Sequence, residues 1–106
     1  MRKKKTTKIF YIGKNIPKND SARTPIKGEP NSYIDFYDKK TGCFHRRRKL
    51  NEKGLACQDL DMPDYVEKTR HVHDYSEQGL RSKGRKPSKK EQKIMNKASK
   101  KRRFWK

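Results

Sequence analysis

Apolar and polar positions alternate most clearly in the middle of the chain. In SYIDFYD, Ser32 to Asp38, an extended backbone sends Ile34 and Phe36 to one face and Tyr33, Asp35 and Tyr37 to the other. DKKTG, Asp38 to Gly42, reads as a turn closed by glycine. A second strand, CFHRRRKL (Cys43 to Leu50), a second turn, NEKG (Asn51 to Gly54), and a third strand, LACQDLD (Leu55 to Asp61), follow. Pro63 breaks the pattern, and RHVHDY, Arg70 to Tyr75, resumes as a short extended segment. These runs predict an antiparallel meander of three or four strands. Further on, Ser88 and Glu91 have the spacing of a helix-capping box, and KKEQKIMNKASKKRRFWK then runs without a breaker. Ile94, Ala98 and Trp105, with Met95 beside them, form a narrow apolar stripe able to dock on one face of the sheet. SKGRKPSKK, Ser82 to Lys90, has the composition of a flexible linker, and IPKNDSARTPIKGEP, Ile16 to Pro30, reads as irregular. The fold class is therefore α+β: a small meander, a basic C-terminal helix and an irregular basic N-terminal arm.

Charge refines this picture. The 106 residues carry 31 Lys and Arg against 12 Asp and Glu, a formal charge of +19, and 28% are hydrophobic, enough for one small core. Residues 1–27 hold nine basic and one acidic side chain, residues 28–79 nine and ten, and residues 80–106 thirteen and one. A nearly neutral core domain, 28–79, thus lies between a basic N-terminal arm, 1–27, and a basic linker and helix, 80–106. Mutually repelling tails of this density are matched to a polyanion, which favours a nucleic-acid partner over an anionic membrane. Nucleic-acid contacts are expected from Arg46, Arg48 and Lys49, from Arg85, Lys86, Lys89, Lys90, Lys97, Lys100, Lys101, Arg102 and Arg103, and from Trp105. No apolar run is long enough to span a bilayer, and the basic start is not followed by a signal-peptide core, so a cytoplasmic protein with no membrane partner is expected. Cys43 and Cys57 are then expected as thiols.

The candidate chemistry lies in the neutral middle. Side chains at i and i+2 of a strand share a face, so His71 and His73 project together, as do Asp59 and Asp61. The same alternation sends Arg47 to the face of His45, and Arg46 and Arg48 to the other. Two imidazoles, two carboxylates and an arginine, here Arg47, meet the needs of metal-free phosphodiester cleavage. A base takes the 2′-hydroxyl proton, an acid protonates the leaving 5′-oxygen and a cation steadies the extra charge. Each group also has a plain alternative: solvent-facing histidines, strand-end aspartates, and an RRRK run that only touches phosphate. No cofactor is expected. Cys43, Cys57, His71 and His73 could ligate zinc, but the cysteines lack the tight-knuckle spacing of structural zinc sites. A divalent metal on Asp59, Asp61 and the histidines is the stronger of the two metal readings, and neither is favoured.

GEPNSYIDFYDKKTGCFHRRRKLNEKGLACQDLD, Gly28 to Asp61, followed by RHVHDY, resembles the C-terminal toxin domains of bacterial polymorphic toxins close to the bacterial toxin 24 group. The matching positions are Gly28, Pro30, Asn31 and Ser32; the paired arginines within 46–48; Gly54 and Ala56; Asp59 and Asp61; and His71 and His73. The pieces stand in the family order and cover about half the chain. Glu29 replaces a basic residue of the pattern, Lys49 or a neighbour replaces a strand aromatic, and MPDYVEKTR lacks the family's histidine and Pro-His. The resemblance implies a nuclease-type toxin with an acidic immunity protein as partner. A chain with its own Met and no delivery domain also fits a phage or mobile-element protein. The expectation is a toxin-related ribonuclease, metal-independent rather than metal-dependent, with RNA favoured over DNA. The alternative is a non-enzymatic RNA- or DNA-binding protein, ribosome-associated or genome-associated.

Overall fold

The computed structural model describes residues 5–12, 25–63 and 68–104. It is a small α+β fold in which a five-stranded sheet carries one C-terminal helix. The strands are β1 (Thr6–Ile12), β2 (Tyr33–Asp38), β3 (Phe44–Leu50), β4 (Ala56–Asp61) and β5 (His71–Asp74), and the helix is α1 (Lys89–Ser99). Spatial order follows chain order, with β1 parallel to β2 and every later pair antiparallel. The meander thus has the expected β2 to β4 and gains β5 from RHVHDY.

The N-terminal arm is corrected by β1. TTKIFYI is rich in β-branched and aromatic residues, and its apolar side chains outweigh the flanking lysines once a sheet edge is available. Phe10 lies opposite Phe36 with ring centroids 5.4 Å apart, and Tyr11 opposite Tyr37 at 6.5 Å. The stretch 16–24 of the expected irregular segment lies outside the described residues.

Residues opposite one another in a ladder share a face, so the sheet has two distinct surfaces. On one, Tyr37, Phe44, Leu60 and Val72 pack beneath Met95 and Ala98 of α1. Ile94 joins at the margin, so the predicted stripe seats the helix, while Trp105 lies outside the described residues. The other surface buries Ile34, Phe36 and Leu50 against Phe10, Ile12 and Ala56, then becomes polar towards β4 and β5. Among the described residues, no helix is long and apolar enough to cross a membrane.

Local chemistry accounts for the turns and the cap. Asp38 Oδ1 accepts from the amides of Lys40 and Thr41, and Asn51 Oδ1 from those of Lys53 and Leu55. Gly54 closes the second turn at φ 75°, and a Cβ there would stand 2.3 Å from the Gly28 carbonyl, so only glycine fits. Ser88 caps α1, accepting from the Glu91 amide while the Glu91 carboxylate accepts from the Ser88 amide. The helix ends at Ser99, short of the basic run expected to prolong it.

The linker reading is also corrected. The segment 81–85 lies along the outer edge of β5, with Val72 and Arg85 exchanging both backbone hydrogen bonds and Ser82 donating to the Asp74 carbonyl. Composition favoured a loose tether, but the unpaired edge of β5 supplied partners for its backbone. Pro87 is buried at the end of this strap.

Two substitutions test the seating of α1. Ser88→Ala should cost about 1 kcal/mol through loss of the cap, and Met95→Ala about 2–5 kcal/mol through the cavity it leaves, both read from urea titrations. A cost for Met95→Ala below about 1 kcal/mol would mean that the helix is not part of the core.

Candidate functional site

The RRR run is the origin of the site's geometry. Sheet register places Arg47 opposite Asp35, Arg48 opposite Asp59 and Arg46 opposite Asp61. All three pairs are two-pronged. Arg46 Nε and Nη2 donate to Asp61 at 2.6 and 3.0 Å, Arg47 to Asp35 at 2.8 and 2.9 Å, and Arg48 to Asp59 at 2.8 and 3.0 Å. Arg48 and Asp59 are sealed from solvent, at 1% and 0% exposure. Arg48 also donates to the Pro25 carbonyl, and the guanidiniums of Arg46 and Arg48 lie over the Phe36 ring.

Strand alternation gives the three arginines different roles. Arg47 sits on the helix-bearing surface with Asp35, stacks over Tyr33 at 4.6 Å and is remote from the histidines. Arg47, expected beside the histidines, thus lies on the opposite surface, whereas Arg46 shares a face and a carboxylate with them. Arg48, expected as a phosphate contact, is instead sealed inside the sheet on Asp59, and Arg46, expected likewise, turns its Nε and Nη2 to Asp61.

The four expected acid–base residues do converge. Asp59 faces His73 and Asp61 faces His71 across the β4–β5 ladder. His71 Nε2 is 3.4 Å and His73 Nε2 3.6 Å from Asp61 Oδ2, and the two rings meet edge to face at 5.0 Å. Each Nδ1 is committed to a backbone carbonyl, His71 to Thr69 at 3.0 Å and His73 to Ser82 at 2.8 Å. A carbonyl only accepts, so each Nδ1 carries hydrogen and each Nε2 is turned to the aspartate. Arg81 completes the network from the strap, donating to Asp59 and Asp61 at 3.0 Å each. Tyr75 donates its hydroxyl to Asp59 at 2.9 Å. Despite the burial that opposes ionisation, Arg48 and Arg46 hold the Asp59 carboxyl below its ordinary range, and His71, Arg46 and Arg81 do the same for Asp61. Burial and the Asp59 charge push the Tyr75 hydroxyl up.

Arg81 and Tyr75 were missed because they fall in the stretch read as the end of the domain and a linker. A signal was present: SEQG, Ser76 to Gly79, is a polar, glycine-closed turn like NEKG, and it brings Arg81 back opposite Tyr75. Gly84 then crosses the imidazoles so closely that a Cβ would meet His71 Cδ2 at 3.2 Å and His73 Cε1 at 3.4 Å.

Asp61, His71 and His73 also have the donor set of a metal site, their ligand atoms lying within 4.8 Å of one another. The carbonyl-anchored Nδ1 atoms suit that role. Against it, Asp61 already takes two guanidiniums, so a cation would have to displace Arg81 and enter among arginines. Cys43 is exposed and Cys57 donates its thiol to the Lys49 carbonyl, so neither joins these ligands.

The remaining expected contacts divide. Lys86, Lys89, Lys90, Lys97, Lys100, Lys101, Arg102 and Arg103 are exposed, and Lys49 is half-buried. Arg103 lies over the Tyr37 ring at 5.8 Å. Arg85 is tied to Asp74 and Glu91, clamping the strap to β5 and to the start of α1, and Glu91 is pulled down to about 2 chiefly by that arginine. No protein-family model, curated protein or solved structure matches this chain.

The buried pairs generate two expectations. Arg48→Met should cost about 3–5 kcal/mol, because Asp59 keeps a buried charge without its chief partner, against less than about 0.5 kcal/mol for Lys53→Met on the exposed turn. Asp59, Asp61 and Asp74 titrate below their ordinary value of 3.8 in the folded state, so they stabilise the fold fully above that value and less as pH falls through it. Urea midpoints should hold from about pH 7 to 5 and drop below about pH 4, and Asp61→Asn should make that drop shallower. A midpoint that rises on acidification would reverse the assignment.

Proposed function

We propose that the protein is a small nucleic-acid-targeting nuclease that cleaves RNA phosphodiesters at Asp61, His71 and His73, with Arg46 and Arg81 as charge-stabilising groups. One observation carries this reading: two imidazole Nε2 atoms meet on a single buried aspartate oxygen that two guanidiniums also hold. RNA brings its own nucleophile. One imidazole takes the 2′-hydroxyl proton as the 2′-oxygen bonds to phosphorus, and the other protonates the 5′-oxygen as its bond to phosphorus breaks. The Thr69 and Ser82 carbonyls orient the rings through Nδ1, Asp61 steadies the imidazole that carries a proton on Nε2, and the arginines offset the charge gathered on the phosphoryl oxygens. Asp59 acts one step back, holding Arg48, Arg81 and Tyr75 in place.

The outer side of α1 and the chain beyond it supply the hold on the polyanion through Lys89, Lys90, Lys97, Lys100, Lys101 and Arg102, all exposed. Kinship with polymorphic-toxin nucleases belongs to the same proposal, and an acidic immunity protein would be its natural partner by charge. A second reading, metal-assisted hydrolysis, is favoured by the mutual approach of the Asp61, His71 and His73 ligand atoms.

Purified protein incubated with total RNA and with plasmid DNA, with and without EDTA, separates these readings. Cleavage of RNA alone, unaffected by EDTA and reduced by about 10²-fold or more in His71→Asn and in His73→Gln, is the expected result. Both variants must first give the parent circular dichroism spectrum. Intact RNA retained by every variant would leave a binder without chemistry, and loss of cleavage with EDTA would select the metal mechanism. Replacing Lys89, Lys90 and Lys97 by Glu should lower RNA affinity and flatten its dependence on salt, and an unchanged salt slope would remove α1 from the binding surface.

A further inference from the structure

Beside His71 the sheet edge opens into a cavity of about 570 Å³, lined by Thr69, Arg70, His71, the strap from Gly84 to Pro87, and Gln92 of α1. Its size falls in the range that holds a nucleotide, roughly 300–1,000 Å³. The charges around it are unequal. Arg85 is neutralised twice over, by Asp74 and by Glu91. Arg70 is held otherwise: its Nη1 donates to two neutral side-chain oxygens, Gln92 Oε1 at 3.1 Å and Asn96 Oδ1. Among the described residues it meets no carboxylate. Amide oxygens fix the direction of a guanidinium without cancelling its charge, so Arg70 is oriented, half-buried and still cationic. Lys86, also in the lining, adds an exposed ammonium.

A residue so arranged is costly as pure structure. Fixing an arginine side chain opposes its rotamer entropy, and neutral acceptors return less than a carboxylate would. The arrangement gains its full value only when an anion enters and takes the free side of the fork. His71 joins the two regions: its ring lines this cavity while its Nε2 faces Asp61. An anion here would therefore lie next to the acid–base pair, where the neighbouring phosphate of a bound strand would have to be.

We propose that the cavity between Arg70, Lys86 and His71 is a phosphate subsite, with Arg70 as the positioning residue that anchors one backbone phosphate of the RNA beside the cleavage centre. The assignment of that phosphate to RNA rests on the nuclease reading; the anion site itself does not. Arg70 touches neither the imidazole Nε2 atoms nor Asp61. Its role is thus to set the register of the strand.

Inorganic phosphate and an all-2′-deoxy oligonucleotide, which lacks the 2′-hydroxyl nucleophile, serve as probes on the intact protein. Calorimetry should give saturable binding of both, and nuclear magnetic resonance should place the phosphate-induced shifts on the Arg70 Nε–H and the His71 ring. Arg70→Gln should weaken phosphate by about tenfold or more, and Arg70→Lys, which keeps the charge but not the fork, should fall between. Arg102→Gln is the control for diffuse attraction. On RNA, Arg70→Gln should raise KM with a smaller change in kcat. Equal phosphate affinity in Arg70→Gln and the parent, or shifts spread over Lys89 to Arg103, would overturn the subsite. Phosphate bound at Arg70 without RNA cleavage would leave the subsite standing and sink the nuclease reading. Cleavage with unaltered KM in Arg70→Gln would do the reverse.

Discussion

Three guanidinium–carboxylate pairs, each set squarely across neighbouring strands, are the constraint on which the rest of this structure depends. Because side chains alternate along β3, Arg46 and Arg48 must find acids on one surface and Arg47 on the other. A slip of one residue would part Arg46 and Arg48 from their aspartates, set Leu60 opposite one of them and separate Arg47 from Asp35. Buried ion pairs are poor sources of net stability, since desolvation offsets most of the attraction. What they supply here is a single permitted alignment for a sheet whose apolar clusters are small. The charge of the chain thus has two populations: one locked inside, the other spread over the helix and its surroundings.

The same alignment creates the candidate chemistry. Once Asp61 is fixed by Arg46, the next ladder brings His71 opposite it and His73 one pleat along, and two carbonyl contacts settle the tautomers. Arg81 then bridges the two aspartates from the strap, which backbone pairing with β5 and the Arg85 clamp hold in place. With three arginines against two carboxylates, the pocket carries excess positive charge before either imidazole is protonated. That balance suits an incoming phosphate better than an incoming metal ion.

Much of this was legible in the residues, and the failures have physical causes. Ile34 and Phe36 against Tyr33 and Tyr37, the glycine-closed turns and the Ser88–Glu91 cap are local signals, and they gave the meander and the helix start. Period-two alternation set His71 with His73 and Asp59 with Asp61, while the meeting of the two pairs depended on β4 pairing with β5. Which arginine joins them did not follow from alternation, because the choice between Arg46 and Arg47 depends on which surface faces His71, a property of β4 and β5 rather than of β3. β1 was hidden by its lysines, and the strap by a composition that resembles a linker. Both gain their order from an open strand edge elsewhere, a long-range partner that no window of sequence displays.

The parallel pairing of β1 with β2 has a consequence for how the molecule comes into being. β1 leaves the ribosome before β2, yet its partner edge among the described residues arrives with Tyr33–Asp38, and the later strands then add antiparallel in chain order. Until β1 returns, β2 presents an unsatisfied row of amides and carbonyls beside Phe36 and Tyr37, a surface that another copy's β2 could template upon. The first strand thus covers that edge, and a fusion that hindered its return would leave it open to pairing between copies.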